Sequence, residues 1–267
     1  MKVLGVLGCG WLGIPLGNFL QKKEWRVKAS RRSNQGIELL QKNGLKDYQI
    51  DVTPEKIIGE EDFFKELDCL IISLPPNRKN QDSNYVKKIS IVLKEIEKLA
   101  VKRVVFLSST SVYGSIGGIY DETATPRPEK PSAKELFKCE QLVLDYADSS
   151  IIIRLGGLIG EDRNPIFQLQ EKLIANPKGS INFITQRDAI GGIEKLLHLP
   201  LEKGGIFNLV SPHHPKRKEY YEFMAKKHSL PTPKFQEDKI VNRIIKSDAI
   251  LKATSFKFKD HNLLIYN

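Results

Sequence analysis

A short apolar segment near the start of the chain runs directly into a glycine-rich turn. Residues 3–13, VLGVLGCGWLG, contain the pattern G-x-G-x-x-G. In this pattern Gly8 permits a tight turn, Gly10 lets the backbone approach a pyrophosphate, and Gly13 lets the next helix pack close to the strand. Since a helix N-terminus attracts anions, we expect this turn, with Trp11 and Leu12, to hold a dinucleotide phosphate. The alternative is a tight strand-to-helix turn without a ligand.

The neighbouring sequence favours a dinucleotide site. Residues 3–7 have the pattern of a buried strand, residues 11–21 carry apolar side chains at helical spacing, and residues 25–29 form a second strand pattern. Together they predict a β-α-β unit. A lipidated cysteine at Cys9 is the rival interpretation, but the apolar run before it is too short for a secretory signal.

Composition is typical of an intracellular enzyme. The chain has 267 residues, of which 40% are hydrophobic, and no apolar run reaches membrane-spanning length. Its three cysteines, Cys9, Cys69 and Cys139, lie far apart and lack C-x-x-C spacing, which argues against a disulfide framework or a zinc site. We therefore expect a soluble cytoplasmic protein that does not bind membranes.

The net charge of +10 raises the question of nucleic-acid binding. The lysines are scattered along the chain, and the densest group, 216–218 with Lys226 and Lys227, has the spacing of a solvated helix face. We predict no nucleic-acid partner. The adjacent His213 and His214 lack the carboxylate or cysteine neighbours of a metal site, so we also predict no metal. The oligomeric state stays open, a homodimer included.

Strand and helix patterns alternate along the first part of the chain. Strands are predicted at 3–7, 25–29, 47–52, 68–74, 103–107 and 151–155, and helices at 11–21, 36–43, about 83–99 and 133–146, with a helical turn at 63–66. Such alternation predicts an α/β protein with a Rossmann-type, doubly wound parallel sheet. We assign residues 1–158 to this dinucleotide-binding domain. Residues 159–267 are expected to form a smaller substrate-binding portion, interleaved with the first, that covers the strand ends.

Two arginines follow the second predicted strand, where an acidic residue would bind the ribose of NAD. The sequence there is Ser30-Arg31-Arg32. An arginine cannot accept hydrogen bonds from a ribose, but it pairs well with a 2′-phosphate. This favours NADP over NAD as the cofactor. Alternatively, both side chains are exposed and one stacks on the adenine.

Several segments resemble the extended short-chain dehydrogenase/reductases, also called the NAD-dependent epimerase/dehydratase family. They are the turn at 8–13, the pair Asp51-Val52, the segment 105–114 (VFLSSTSVYG) and the segment 183–189 (FITQRDA). The run from Tyr113-Gly114 to the Ala-Lys-Glu-Leu at 133–136 resembles an atypical, YeeZ-like subgroup. The likeness covers nearly the whole chain.

The resemblance implies roles for individual residues. Asp51 and Val52 would hold the adenine, and the segment Leu74-Pro75-Pro76 would line the nicotinamide-side ribose. Ser109 matches the catalytic serine that hydrogen-bonds the reacting oxygen, with Ser108 beside it on the cofactor side. Gly157 and Leu158 would lie near the nicotinamide carboxamide.

One departure from the family pattern bears on activity. Typical members carry Tyr-x-x-x-Lys on the helix after the serine, whereas here Ser132 and Leu136 stand at those positions, and no tyrosine in the chain has a lysine four residues later. That lysine lowers the pKa of the phenol so that it exchanges a proton near neutral pH. Tyr113 is the remaining tyrosine on the rim near Ser109, and we name it with Ser109 as a catalytic candidate. Its alternative role is packing.

Two classes of function remain. The first is an NAD(P)-dependent oxidoreductase or epimerase acting on a small polar substrate, sugar-like or nucleotide-linked. A 4,6-dehydratase is disfavoured, because Thr110 and Ser111 stand where dehydratases carry an acidic pair. The second class is a non-catalytic NADP-binding sensor or scaffold. Three arginines are candidates to bind an anionic substrate. They are Arg154, Arg163 and Arg187. The alternative for each is an ion pair with an acidic residue of the protein.

Overall fold

The computed structural model describes residues 1–76, 84–236 and 240–266. The strands in this part of the chain are β1 (Val3–Leu7), β2 (Arg26–Arg31), β3 (Lys46–Val52), β4 (Ile57–Gly59), β5 (Cys69–Ile72), β6 (Arg103–Ser109), β7 (Gly118–Tyr120), β8 (Ile151–Leu155), β9 (Gly157–Ile159), β10 (Leu173–Ile174), β11 (Phe183–Thr185), β12 (Gly205–Leu209), β13 (Lys234–Phe235) and β14 (Arg243–Ile245). The helices are α1 (Gly13–Gln21), α2 (Asn34–Lys42), α3 (Tyr85–Lys98), α4 (Pro131–Tyr146), α5 (Ile166–Leu169), α6 (Gln186–Leu197), α7 (Arg217–Lys227) and α8 (Asp248–Ala253).

Eight strands form the central sheet, in the order β12-β8-β6-β5-β1-β2-β3-β4. All neighbouring pairs are parallel except β3 with the edge strand β4. This confirms the predicted doubly wound α/β fold. The strand order reverses between β1 and β5, and ligands of such sheets bind in the crevice at this point. The glycine-rich turn after β1 therefore lies at the switch point.

Both faces of the sheet are covered by helices, because successive side chains of a strand point to opposite faces. On β5, Cys69 and Ile71 pack into one core with α1 and α6, while Leu70 and Ile72 pack into the other with α3 and α4. This explains why the central strands read as continuous apolar runs. None of the helices in the described ranges combines the length and apolar character needed to cross a membrane.

The C-terminal portion has its own smaller core. It is built from residues of α7 and the surrounding loops, among them Ile159, Ile181, Tyr220 and Met224. Three two-stranded sheets, β9-β11, β10-β13 and β7-β14, frame it. However, β12 lies in this half of the sequence and forms the outer strand of the central sheet, so the two portions share one sheet.

The sequence patterns missed or shifted several boundaries. The helix predicted from residue 11 begins at Gly13, and the turn predicted at 63–66 is a 3₁₀ turn at Glu61–Phe63. The edge strand β4 was not predicted, because three residues are too few to show a period. The helix predicted from residue 83 is observed as α3 from Tyr85; residue 83 lies outside the described residues.

Candidate functional site

The glycine-rich turn needs glycine at position 8 for steric reasons. Gly8 has φ of +83°, and a Cβ there would lie 2.9 Å from the Leu74 side chain and 3.1 Å from the Ser73 carbonyl oxygen. A Cβ on Gly13 would lie 3.1 Å from the Cys9 sulfur. Only glycine therefore allows this turn and the close packing of α1 against β1.

The space next to Gly10 fits a phosphate group. A Cβ there would meet, within 3.4 Å, only the Nη1 atom of Arg31, at 3.2 Å. The backbone N–H groups of Trp11, Leu12 and Gly13 have no acceptor among the described residues, and Leu12 at the helix N-cap supplies no side-chain cap. This open cradle with free donors is what a dinucleotide pyrophosphate requires.

Residues at the end of β2 hold the turn and add positive charge. The Ser30 hydroxyl accepts a 3.2 Å hydrogen bond from the Gly8 N–H. The backbone carbonyl of Ser30 accepts a 2.8 Å hydrogen bond from the Cys9 N–H. Ser30 is buried, so its side chain acts on the turn itself. Half-buried Arg31 places its guanidinium beside Gly10, whereas Arg32 is exposed. Of the two arginines predicted to pair with a 2′-phosphate, Arg31 therefore lies at the turn.

Trp11 connects the turn to a hairpin in the C-terminal portion. Its indole Nε1 donates a 2.8 Å hydrogen bond to Asp162 Oδ1, and the Arg163 guanidinium lies 4.9 Å from the ring centroid. Gln186 Nε2 donates to the Trp11 carbonyl at 3.0 Å. Residues 160–163 form a tight turn closed by reciprocal hydrogen bonds. We name these four residues the 160–163 turn.

The other predicted cofactor residues lie along the same rim. Asp51 and Val52 end β3, with Val52 buried in the core and Asp51 half-buried. The Leu74 carbonyl accepts a 2.7 Å hydrogen bond from the Tyr85 hydroxyl, and Pro75 and Pro76 follow it. Gly157 and Leu158 belong to β9, which pairs with β11. Their roles toward a cofactor remain predictions.

The structure separates the two predicted catalytic residues. Ser109 ends β6, and its Oγ accepts a hydrogen bond from the Ser111 N–H at 3.2 Å, which caps the 3₁₀ turn Thr110–Tyr113. Ser109 lines a cavity. Tyr113, four residues later, is fully buried and points into the core, where its hydroxyl donates to Asn208 Oδ1 at 2.9 Å. The structure therefore does not bring these two side chains together.

Tyr113 belongs to a buried polar network. Arg154 donates to the Tyr113 hydroxyl at 2.9 Å and forms an ion pair of 2.7 Å with Glu140. Glu140 also accepts a 2.5 Å hydrogen bond from Ser108. Burial raises the pKa of Tyr113 against the lowering effect of Arg154. Because every member is partnered, this network fastens α4 to β6 and β8, and Ser108 faces it rather than the rim.

The cavity beside Ser109 has a volume of about 540 Å³. Strand β6 contributes Ser109 and strand β9 contributes Gly157, and the C-terminal portion contributes Arg217, Tyr221 and Arg243. Arg243 is half-buried and donates to the Gly114 carbonyl. Burial, and then the positive charge of Arg217, lower the pKa of Arg243. Two guanidinium groups at one cavity favour a bound anion.

Two other charged residues line the cavity, one of each sign. Lys130 lines the cavity as a third cation. The nearby Glu129 carboxylate accepts hydrogen bonds from the Ser115 N–H and hydroxyl, at 3.1 and 2.6 Å. Those bonds lower the pKa of Glu129. The described residues that line the cavity thus carry three positive charges and one negative charge.

The three arginines suggested as a clamp from the sequence are engaged elsewhere. Arg154 pairs with Glu140, Arg163 stacks on Trp11, and Arg187 pairs with Asp260. None lines the cavity. The arginines that line the cavity are instead Arg217 and Arg243, and neither was predicted from the sequence as a substrate contact. Residue 217 lies within a lysine-rich run and residue 243 on a three-residue strand, so neither has a recognisable motif.

Asp188 fastens the C-terminal segment rather than capping a helix. The N-cap of α6 is Thr185, whose hydroxyl accepts from the Asp188 N–H. The Asp188 carboxylate accepts from the N–H groups of Lys259 and Asp260, at 2.8 and 3.1 Å. The two histidines considered for a metal face backbone groups: His213 Nδ1 accepts from the Leu263 N–H, and His214 Nδ1 lies 3.1 Å from the Ile181 carbonyl oxygen.

The fold and the switch-point turn define a Rossmann-type α/β protein. Two solved structures show the same fold. UDP-glucuronic acid 4-epimerase of Bacillus cereus in complex with NAD is 16% identical, covers 97% of this chain and 94% of its own, and has a TM-score of 0.80. MoeE5 in complex with UDP-glucose and NAD is 16% identical over 99% and 95% of the two chains, with a TM-score of 0.76.

The sequence comparison is more specific. Protein YeeZ of Escherichia coli K12 is 31% identical over 266 residues, which are 97% of this chain and 96% of YeeZ. No family model matches the chain. The chain belongs to the family of YeeZ, and the resemblance to a YeeZ-like subgroup seen in the sequence is confirmed.

Proposed function

We propose that this protein is an NADP-dependent oxidoreductase or epimerase whose substrate is a small polar molecule linked to a nucleotide, such as a nucleotide sugar. The observation that carries the proposal is the cavity that Ser109 lines together with Arg217 and Arg243. It combines a hydroxyl suited to a reacting oxygen with two cations suited to a diphosphate. The structurally similar UDP-glucuronic acid 4-epimerase and MoeE5 support a nucleotide sugar.

The cofactor would lie along the rim between Arg31 and Gly157. The open cradle at Gly10 would receive the pyrophosphate, and Arg31 would pair with a 2′-phosphate. A bound nicotinamide would exchange a hydride with the substrate. Ser109 is suited to hold the substrate oxygen, because its Oγ accepts the Ser111 N–H and its own proton stays available to donate.

A sensor without catalysis is the weaker alternative. It is motivated by the absence of Tyr-x-x-x-Lys. A protein that only binds the dinucleotide needs no space beyond it, yet the cavity here is about 540 Å³ and is lined by polar and charged groups. This volume is within the range of small-molecule sites.

The test is a screen for turnover with NADPH, NADH and their oxidised forms against nucleotide sugars, aldehydes and ketones, followed by mass spectrometry and NMR. For any substrate found, Arg243→Leu should raise KM about 10- to 100-fold, since a charged hydrogen bond is worth about 1.5–3 kcal/mol. Ser109→Ala should lower kcat while NADPH binding is retained. Tight NADPH binding without turnover of any substrate would favour the sensor.

A further inference from the structure

The hydroxyl groups of the tyrosines differ in their surroundings. The chain has eight tyrosines. Six have hydroxyls that hydrogen-bond to other protein groups; they are Tyr85, Tyr113, Tyr120, Tyr146, Tyr220 and Tyr266. Among the described residues, the hydroxyls of Tyr48 and Tyr221 have no such partner. Tyr48 lies on β3 and does not line the cavity.

Tyr221 is thus the tyrosine that lines the cavity of Ser109 and also has a hydroxyl without a protein partner. The residue is 7% exposed, and its ring packs edge-on against Tyr220, with ring centroids 5.4 Å apart. A phenol held by packing, with its hydroxyl left unpaired at a polar cavity, is suited to bond a ligand there.

Arg217 precedes Tyr221 by one turn of α7 and lines the same cavity. A residue four positions away lies on the same helix face. Burial raises the pKa of Tyr221, and the positive charge of Arg217 opposes that rise. In typical relatives a lysine has this effect on the catalytic phenol. Here Arg217, on the same helix as Tyr221, lowers the pKa of the phenol in the same way.

We propose that Tyr221 is the proton donor of the reaction, in place of the missing Tyr-x-x-x-Lys, and that Arg217 is its positioning residue. This inference rests on the proposed function. In reduction, Tyr221 gives its phenolic proton to the carbonyl oxygen while a hydride from the reduced nicotinamide forms the new C–H bond. The carbonyl gains the two electrons that the nicotinamide loses, and the resulting phenolate takes a proton from water. In oxidation the same phenolate accepts the proton.

The proposal predicts a pH dependence. Reduction should slow as pH rises above the pKa of Tyr221, because the donor form is lost, and oxidation should speed up. The other charged groups at the cavity are Arg243 on β14 and Glu129 and Lys130 before α4. Arg217→Leu should move both pH profiles to higher pH, because a charge that stabilises the phenolate is removed, and Arg217→Lys should restore them.

The decisive comparison uses phenylalanine variants of three tyrosines. On a substrate turned over by the wild type, Tyr221→Phe should lower kcat at least about 100-fold with an unchanged Kd for NADPH. Tyr48→Phe is the matched control and should keep kcat, since its hydroxyl is also unpartnered but lies away from the cavity. Tyr113→Phe tests the other candidate.

Each outcome of these measurements supports or overturns the proposed role of Tyr221. Full activity of Tyr221→Phe on a substrate that the wild type converts would overturn this inference and leave the proposed function standing, as would a loss confined to Tyr113→Phe. Absence of turnover by the wild type would overturn the proposed function and this role with it. An ultraviolet titration of tyrosinate gives a readout without turnover: Arg217→Leu should raise the pKa of one phenol, and Tyr221→Phe should remove that phenol. A titration unaffected by either substitution would also overturn the inference.

Discussion

At the scale of single residues, the two glycines at positions 8 and 10 have different tasks. Gly8 has a positive φ, and a side chain there would collide with its neighbours. Gly10 does not have a positive φ, and no backbone atom lies close to the position that its Cβ would take. We predict that Gly10→Ala keeps the free energy of unfolding within about 0.5 kcal/mol of the wild type. Its methyl group should nevertheless raise the Kd for NADPH about tenfold or more, because it would displace the pyrophosphate.

Gly8→Ala is the contrasting variant. Strain at positive φ should cost it about 1–3 kcal/mol of stability. Urea unfolding and calorimetric titration with NADPH measure both effects. Equal affinities of Gly10→Ala and the wild type would show that the turn does not hold the dinucleotide.

The guanidinium of Arg31 determines the predicted choice of cofactor. We expect the wild type to bind NADPH more tightly than NADH, and Arg31→Asp to reverse the order, because it removes a phosphate partner and adds a ribose acceptor. The expected loss of NADPH affinity is about 10- to 100-fold. Arg26→Asp is the control: it makes the same charge change at the opposite end of β2. A wild type that prefers NADH at physiological salt would contradict the assignment.

At the scale of elements, the glycine-rich turn and the 160–163 turn are held together through Trp11. A cofactor bound at the free N–H groups would lie next to this indole, so we predict that NADPH changes the tryptophan fluorescence. Trp11→Phe should abolish the change, because Trp25 is buried in the core. Asp162→Ala should shift the emission to longer wavelength by releasing the indole N–H. A response that persists in Trp11→Phe would show that the cofactor binds elsewhere.

At the scale of the whole molecule, the sheet depends on both halves of the sequence. β12 pairs with β8, and α6 covers the core that contains Val105 and Ile153. We predict that a fragment of residues 1–158 does not fold to a stable monomer, because this apolar surface would be exposed. Circular dichroism, urea unfolding and binding of a hydrophobic dye compare it with the full chain. A cooperative unfolding transition in the fragment would contradict the prediction.

Local sequence was sufficient to predict the fold class and the glycine-rich turn at the switch point. The turn at 8–13 and the buried strand patterns depend on short-range sterics and on the period of side chains, and both are visible in a few consecutive residues. The edge strand β4 and the small sheets of the C-terminal portion lack such signals. Their strands of two or three residues form because distant segments meet.

The sequence by itself determined that this chain forms a parallel sheet with a glycine-rich turn at its switch point, because glycine sterics and strand periodicity are local properties. Only the tertiary structure decided where the side chains of the candidate catalytic residues lie. Ser109 and Tyr113 are four residues apart, yet the 3₁₀ turn between them directs one to the cavity and the other to the buried Arg154. Conversely, Tyr221 and Ser109 are separated by more than a hundred residues and share one cavity, because the fold brings α7 next to the end of β6.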